Sequence, residues 1–179
     1  MAETRVNPAW RALVVQLGAE RSEVRLAAWS RLLEIGPEAR DAVLEGLRDA
    51  SWQVRRWCAL WLDHHADPES LQALVPLLTD PKSQVRLFAL HALSCDRCKE
   101  GESPIDAVPL LIERIQSDES IRVRRHAVCM LAFQHAHPHL EGFFQQLLDT
   151  ETDPKLHKHA GWGLLLCRQK MDLARGGRG

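Results

Sequence analysis

One signature returns five times along this chain: SEVRLAAWSRLL, SWQVRRWCALWL, SQVRLFALHAL, IRVRRHAVCML and a weaker DPKLHKHAGWGLL. A periodic chain must be read as an array before anything else, because each repeat is one supersecondary unit. Anchored on Val24, Val54, Val85, Val123 and Leu156, the repeats are 30 to 38 residues apart. The position after the anchor is Arg25, Arg55, Arg86, Arg124 and then His157. Four after the anchor stands a small residue every time: Ala28, Cys58, Ala89, Ala127 and Ala160. Eight after it stands Leu32, Leu62, Leu93, Leu131 or Leu164. Residues at 0, +4 and +8 share one helical stripe, so each segment predicts an amphipathic helix with a close-approach point at +4.

A second apolar-periodic segment precedes each of these helices. In order they are Trp10/Leu13/Val14/Leu17, Val43/Leu44/Leu47, Leu71/Leu74/Val75/Leu78, Val108/Leu111/Ile112/Ile115 and Phe143/Phe144/Leu147/Leu148. Ser51, Asp80-Pro81 and Asp153-Pro154 read as helix starts between the two members of a pair. Glycine and proline cluster between helices, at Gly36-Pro37, Asp67-Pro68 and Ser103-Pro104, and no strand pattern competes. The unit is helix–turn–helix, and the expected fold is all-α, an α-solenoid of about five such pairs. Residues 1–7 read as an N-terminal extension, 8–168 as the solenoid and 169–179 as a flexible, basic, glycine-rich tail.

The Val-Arg pair, the small +4 residue and the +8 leucine resemble HEAT repeats, in particular the short HEAT-like repeats of phycobilisome lyases. An acidic residue recurs five before the anchor, at Asp49, Asp80, Asp118 and Glu151, with Ala19 the departure in the first repeat. The resemblance spans about residues 8–168. It implies first helices on a convex side, second helices on a concave side, and an Arg–acid ladder between neighbouring repeats. The Arg column is therefore expected to be structural.

Composition narrows the function classes. The 179 residues carry 23 Lys+Arg against 24 Asp+Glu, a net charge of −1, which gives no bulk attraction to nucleic acid. No apolar run reaches the ~18 residues a membrane-spanning helix needs. The opening MAETRVNPAW has no basic segment followed by an apolar one, so no secretory signal is read there. Five cysteines without such a signal read as reduced thiols in a cytoplasmic protein.

On the second helices the positions farthest from the 0/+4/+8 stripe are +2, +6 and +9, at about 100° per residue. They hold Leu26, Arg56, Leu87, Arg125 and Lys158; Ser30, Leu60, His91, Cys129 and Trp162; Leu33, Asp63, Ser94, Ala132 and Leu165. Six of the fifteen are Leu or Trp, more than a wetted face normally carries, and apolar surface rimmed by charge marks a partner site. The expected partner-binding residues are Leu26, Arg56, Leu60, Leu87, His91, Arg125, Lys158, Trp162 and Leu165.

Three constellations carry chemistry. His91, Cys95 and Cys98, with His64 one repeat earlier and Cys129 one repeat later, offer thiolate and imidazole ligands of the kind zinc takes. A lone Cys-x-x-Cys lacks its second pair, however, and buried cysteine more often fills apolar space, so the expectation is no metal and no cofactor. His135, His137 and His139, with His157 and His159, suit a solvated inter-helix turn. The HEAT-like iron hydroxylases carry His-Glu pairs, and this chain has no His-Glu dipeptide. The basic row Arg55/Arg56, Arg86, Arg122/Arg124/Arg125 and Lys155/Lys158 could track phosphates. Trp57, Trp61 and Asp63 supply residue types used by HEAT-like DNA glycosylases, whose motif does not map onto them.

There is no phosphate-binding glycine loop, nucleophile elbow or metalloprotease motif, and no tyrosine at all. No catalytic residue is assigned. The reading is a non-enzymatic scaffold or adaptor that binds another protein on the face of its second helices. Nucleic-acid binding, in the manner of the HEAT-like glycosylases, and a bilin-lyase-like role are the alternatives. The apolar last helix, AGWGLLLC, additionally suggests that two copies pair through the C-terminal repeat, or that another protein covers it, unless Met171 and Leu173 fold back over it.

Overall fold

Each apolar-periodic segment becomes a helix. The computed structural model describes residues 6–98 and 105–176, with side chains through Leu173. Among them are ten α-helices: α1 (Pro8–Gln16), α2 (Ser22–Ile35), α3 (Arg40–Gly46), α4 (Trp52–His65), α5 (Pro68–Leu74), α6 (Ser83–Ser94), α7 (Ala107–Ser117), α8 (Ile121–Phe133), α9 (Glu141–Thr150) and α10 (Pro154–Gly176). Short 3₁₀ turns, Gly36–Ala39, Val75–Thr79 and Pro138–Leu140, adjoin the odd-numbered helices α3, α5 and α9. No strand occurs among the described residues, and the fold is all-α, of the α-solenoid class. The even-numbered helices carry the repeated signature. Turns expected at Ser103-Pro104, and residues 1–5 of the N-terminal extension, lie outside the described residues.

Two compact units divide the chain, Met1–Ile105 and Asp106–Gly179. In the first, α4 packs along α6, while α1 touches α2, α3 and α4. In the second, α8 lies against both α7 and α10, and α9 against α10. The +4 column is buried in all five repeats, and so is the +8 leucine column. The small residue is needed there because a bulkier side chain would hold the paired helices apart. Gly46 makes the same point from the other helix of its pair: a Cβ there would lie 2.5 Å from the sulfur of Cys58.

The arginine column closes each helix pair. Arg25 donates to the carbonyl of Ala19 at 2.7 Å, Arg55 to Asp49 at 2.8 Å, Arg86 to Asp80 at 2.8 Å and Arg124 to Asp118 at 2.9 Å. Every one reaches back six residues, to the end of the preceding first helix or the turn after it, where helical carbonyls have lost their partners. The acidic residue at that point has a separate job. The carboxylates of Asp49, Asp80 and Asp118 accept from the backbone N–H of Ser51, Lys82 and Ser120, at 2.7–2.8 Å. Ser51, read as a helix cap, thus supplies its N–H rather than its hydroxyl. Because the arginine bonds a backbone oxygen, Ala19 can replace the acid in the first repeat without loss of that bond. The ladder itself is present at Arg55, whose guanidinium also holds both oxygens of Asp80 in the next repeat.

The last helix runs to Gly176, eight residues beyond the expected end of the repeats at 168. Side chains hold it onto the turn before α9. Cys167 donates to the carbonyl of His137 at 3.0 Å, Arg168 pairs with Glu141 at 2.8 Å, and Lys170 bonds the carbonyl of Ala136. Leu173 is 76% exposed, so it forms no lid over the repeat. Residues 177–179 of the expected tail lie outside the described residues.

Candidate functional site

Of the outward columns, +9 is corrected by the structure in the three middle repeats. Asp63, Ser94 and Ala132 are buried there; only Leu33 and Leu165, in the first and last repeats, are exposed. The next second helix packs along α4 and along α8, α6 on the one and α10 on the other, and this covers the flank that Asp63 and Ala132 occupy. Leu165 lies on the last helix and is 53% exposed. Leu26, at +2 of the first repeat, is 52% exposed, while Leu60, Leu87 and Cys129 are half-buried.

In the first unit a cation lies on aromatic faces. The Arg56 guanidinium carbon sits 4.8 Å from the centre of the Trp57 ring and 5.2 Å from that of Phe88, and Trp29 packs on Trp57 at 4.9 Å. Burial, and then the neighbouring charge of Arg25, push the Arg56 pKa down. Its Nε is buried and meets no hydrogen-bond partner among the described residues. Trp61, by contrast, is core: it is fully buried and its indole N–H donates to the carbonyl of Leu32 at 3.3 Å.

The second unit repeats the motif. Lys158 lies 4.6 Å above the Trp162 ring, which Phe133 approaches at 5.0 Å and His159 at 5.4 Å. Trp162 is 37% exposed and Phe133 is exposed beside it. Arg125 departs from the expected role. Its guanidinium is engaged by Asp153, Nε to Oδ1 at 2.8 Å and a terminal nitrogen to Oδ2 at 2.5 Å. That hydrogen bond, with the N–H of Leu156, holds the Asp153 carboxyl well below the usual carboxylate range.

The row of arginines read as a phosphate track is largely turned inward, since Arg55, Arg86, Arg124 and Arg125 all bond their own chain. Trp29, Phe88 and Phe133 were missed because they stand at +5, +3 and +10, on the flanks of the helix face rather than at its centre. A search for aromatic residues beside a basic one would have found them.

His91 is drawn elsewhere. Its Nε2 lies 3.3 Å from Oδ2 of Asp63, and the sulfur of Cys98 is 3.8 Å from the same nitrogen and 3.2 Å from the sulfur of Cys95. One ligand atom from each of Asp63, His91, Cys95 and Cys98 lies within 4.8 Å of all the others. Burial, then Cys95 and Asp63, push the Cys98 thiol up to about 12. Asp63 is the member that spacing alone did not supply, for it stands on α4 while the other three follow one another at the end of α6. His64, named with the cluster from sequence, is exposed, with its Nε2 3.8 Å from Asp63. The exposed His137 and His139 pair with each other, Nδ1 to Nδ1 at 2.6 Å. A broad open cleft of about 1080 Å³ runs over α1, α3 and α5, between Arg11, Glu45, Arg48 and Glu69.

These features define a class, the α-solenoid built from paired helices with an arginine-closed turn. Residues 40–107 match the family model described as HEAT repeats, and the signature read from the sequence recurs on both sides of that stretch. Two solved structures resemble it over most of its length. An engineered protein shares 23% identity at a TM-score of 0.50, covering 89% of this chain and 79% of that one. A designed armadillo repeat protein shares 19% at a TM-score of 0.50, covering 86% and 80%. At such identities the likeness is one of fold alone. No curated protein matches the chain.

Proposed function

We propose that this protein is a non-enzymatic adaptor in which the second helices of each unit bind an acidic, partly apolar segment of another protein. One observation carries the reading: each unit presents a cation resting on a tryptophan, Arg56 on Trp57 and Lys158 on Trp162. Exposed leucine stands on the second helices of each unit, Leu26 in one and Leu165 in the other. Aromatic and arginine side chains in partly desolvated settings dominate binding energy at protein interfaces. Arg56 lies near a second cation, Arg25, and its positive charge favours a carboxylate, more strongly where water is partly excluded. The binding residues are then Leu26, Arg56, Leu60 and Leu87 in the first unit, and Lys158, Trp162 and Leu165 in the second. Arg125 and His91 leave that set, because Asp153 and Asp63 engage them.

A photo-crosslinking residue placed at Leu26, Leu87 or Leu165 in the host cell tests the assignment against one placed at Gln72 or Gln146 on the first helices. Discrete protein adducts from the former group, lost when Arg56→Glu is added to the Leu26 and Leu87 probes, are expected. Adducts from Gln72 and Gln146 alone overturn the reading.

A further inference from the structure

We infer that Asp63, His91, Cys95 and Cys98 form a tetrahedral transition-metal site, with Zn²⁺ the ion its donors suit best. The inference is independent of the partner reading and stays within one compact unit, since all four residues lie between Met1 and Ile105. The distances come first. Zinc bonds of about 2.0–2.3 Å put tetrahedral ligand atoms roughly 3.3–3.8 Å apart. The observed separations are 3.2 Å between the two sulfurs, 3.3 Å between Asp63 Oδ2 and His91 Nε2, and 3.8 Å between Cys98 Sγ and His91 Nε2. Three different donor types thus gather within 4.8 Å of one another, near the size of a tetrahedral shell, and the two sulfurs, at 3.2 Å, would move apart to roughly 3.8 Å on taking up zinc.

Burial argues the same way. The Asp63 side chain is only 3% exposed, and Cys95 is buried. A donor set withdrawn from water in this way limits solvent access to a bound ion. A divalent ion would displace the two thiol protons, leaving the same net charge of −1 but spreading it over two thiolates, one carboxylate and the ion.

The placement follows from the repeats. Asp63 is one residue past the buried +8 leucine of α4, and His91 is at +6 of α6, the helix packed along it. Cys95 is the residue that ends α6, four after His91, and Cys98 lies three further in the connection that follows. An ion there would fasten the segment that follows α6 to the end of α4. Four protein ligands leave no open position, so the site is structural rather than catalytic. Mixed thiolate, imidazole and carboxylate donors favour zinc over magnesium or calcium, which take oxygen ligands, and the tetrahedral arrangement disfavours nickel and copper(II).

The test uses the full chain, purified under reducing conditions without chelator, then loaded with ZnCl₂ or CoCl₂. The expected result is one tightly held metal per chain. Cobalt should show thiolate-to-metal charge transfer and the intense visible bands of a tetrahedral ion. Zinc should raise the melting temperature of the wild type, as a ligand of the folded state must. Cys98→Ser, in the connection rather than the core, should keep the helical circular dichroism and lose both the thiolate band and the zinc-dependent rise in melting temperature. His91→Gln should do likewise, and His137→Gln should change nothing. Reduced wild-type protein that retains no zinc overturns the proposal, whether or not Cys95 and Cys98 can be oxidised to a disulfide. So does cobalt binding that survives Cys98→Ser but is lost with His137→Gln.

Discussion

Arg55 reaches across 25 residues of sequence to hold both carboxylate oxygens of Asp80, Nε to Oδ2 at 2.7 Å and a terminal nitrogen to Oδ1 at 3.0 Å. Both side chains are nearly dry, and Asp80 also fastens the start of its own second helix through the N–H of Lys82. One arginine thereby closes its own repeat and ties it to the next. Removing one partner of a buried pair strands the other, so Arg55→Ala should cost about 3–5 kcal/mol. Arg25→Ala, whose arginine bonds backbone carbonyls in the first repeat, should cost only about 1.5–3 kcal/mol. Urea melts of the two variants check the order, and an Arg25→Ala loss as large as that of Arg55→Ala contradicts it.

The small-residue column gives the second prediction. Ala89 is fully buried on α6, and Ala89→Leu should overpack the helix pair and cost about 1–3 kcal/mol. A thermal melt followed by circular dichroism reads it. An unchanged melt would mean that +4 is not the close-approach position.

Two glycines of α10 should respond oppositely to the same change. At Gly161 a Cβ would meet only Leu148, at 4.0 Å, so Gly161→Ala should stabilise by up to about 1 kcal/mol through helix propensity. At Gly163 it would collide with the ring of Phe144, which is fully buried, so Gly163→Ala should destabilise by about 1–3 kcal/mol. The difference in sign, measured by chemical denaturation, is the check.

The fold was legible because its determinants repeat. Five buried leucines, five buried small residues and an arginine column cannot coincide by chance, and the two buried columns predict the helix face that packs. The site was less legible. The +9 column reads outward on a single helix, yet Asp63 is buried because α6 lies along α4, and no periodicity within one helix reports the angle of its neighbour. The same limit hid Asp63 from the His91–Cys95–Cys98 group. Arg125 read as a free cation because its partner, Asp153, stands 28 residues ahead in the next repeat's turn. Helix α10 continues past 168 because bonds to His137, Glu141 and Ala136 hold it, contacts that a polar, glycine-containing sequence does not announce.

Acid should act on the Arg125–Asp153 pair in a defined direction. The bond from Arg125 depresses the folded-state pKa of Asp153, so its contribution is fully present above the unfolded-state value of about 3.9. It is lost as pH falls from there through the depressed folded value. Wild-type stability should therefore decline more steeply below about pH 4 than that of Arg125→Gln, in which Asp153 titrates closer to an ordinary aspartate. Denaturation at a series of pH values supplies the comparison. A carbon-13 NMR titration of Asp153 gives it directly, and an unshifted carboxyl in the wild type contradicts it.

The adaptor reading is tested most directly by the sequences the protein itself selects. A random peptide library panned on the immobilised full chain, with Arg56→Glu as the parallel target, reports the chemistry of the preferred ligand without a known partner. The account predicts that wild-type protein enriches peptides pairing Asp or Glu with Leu, Phe or Trp. Arg56→Glu should lose those peptides while keeping its helical content, and raised salt should weaken them. Enrichment of basic or purely polar peptides would contradict the account, as would an identical selection by the wild type and by Arg56→Glu.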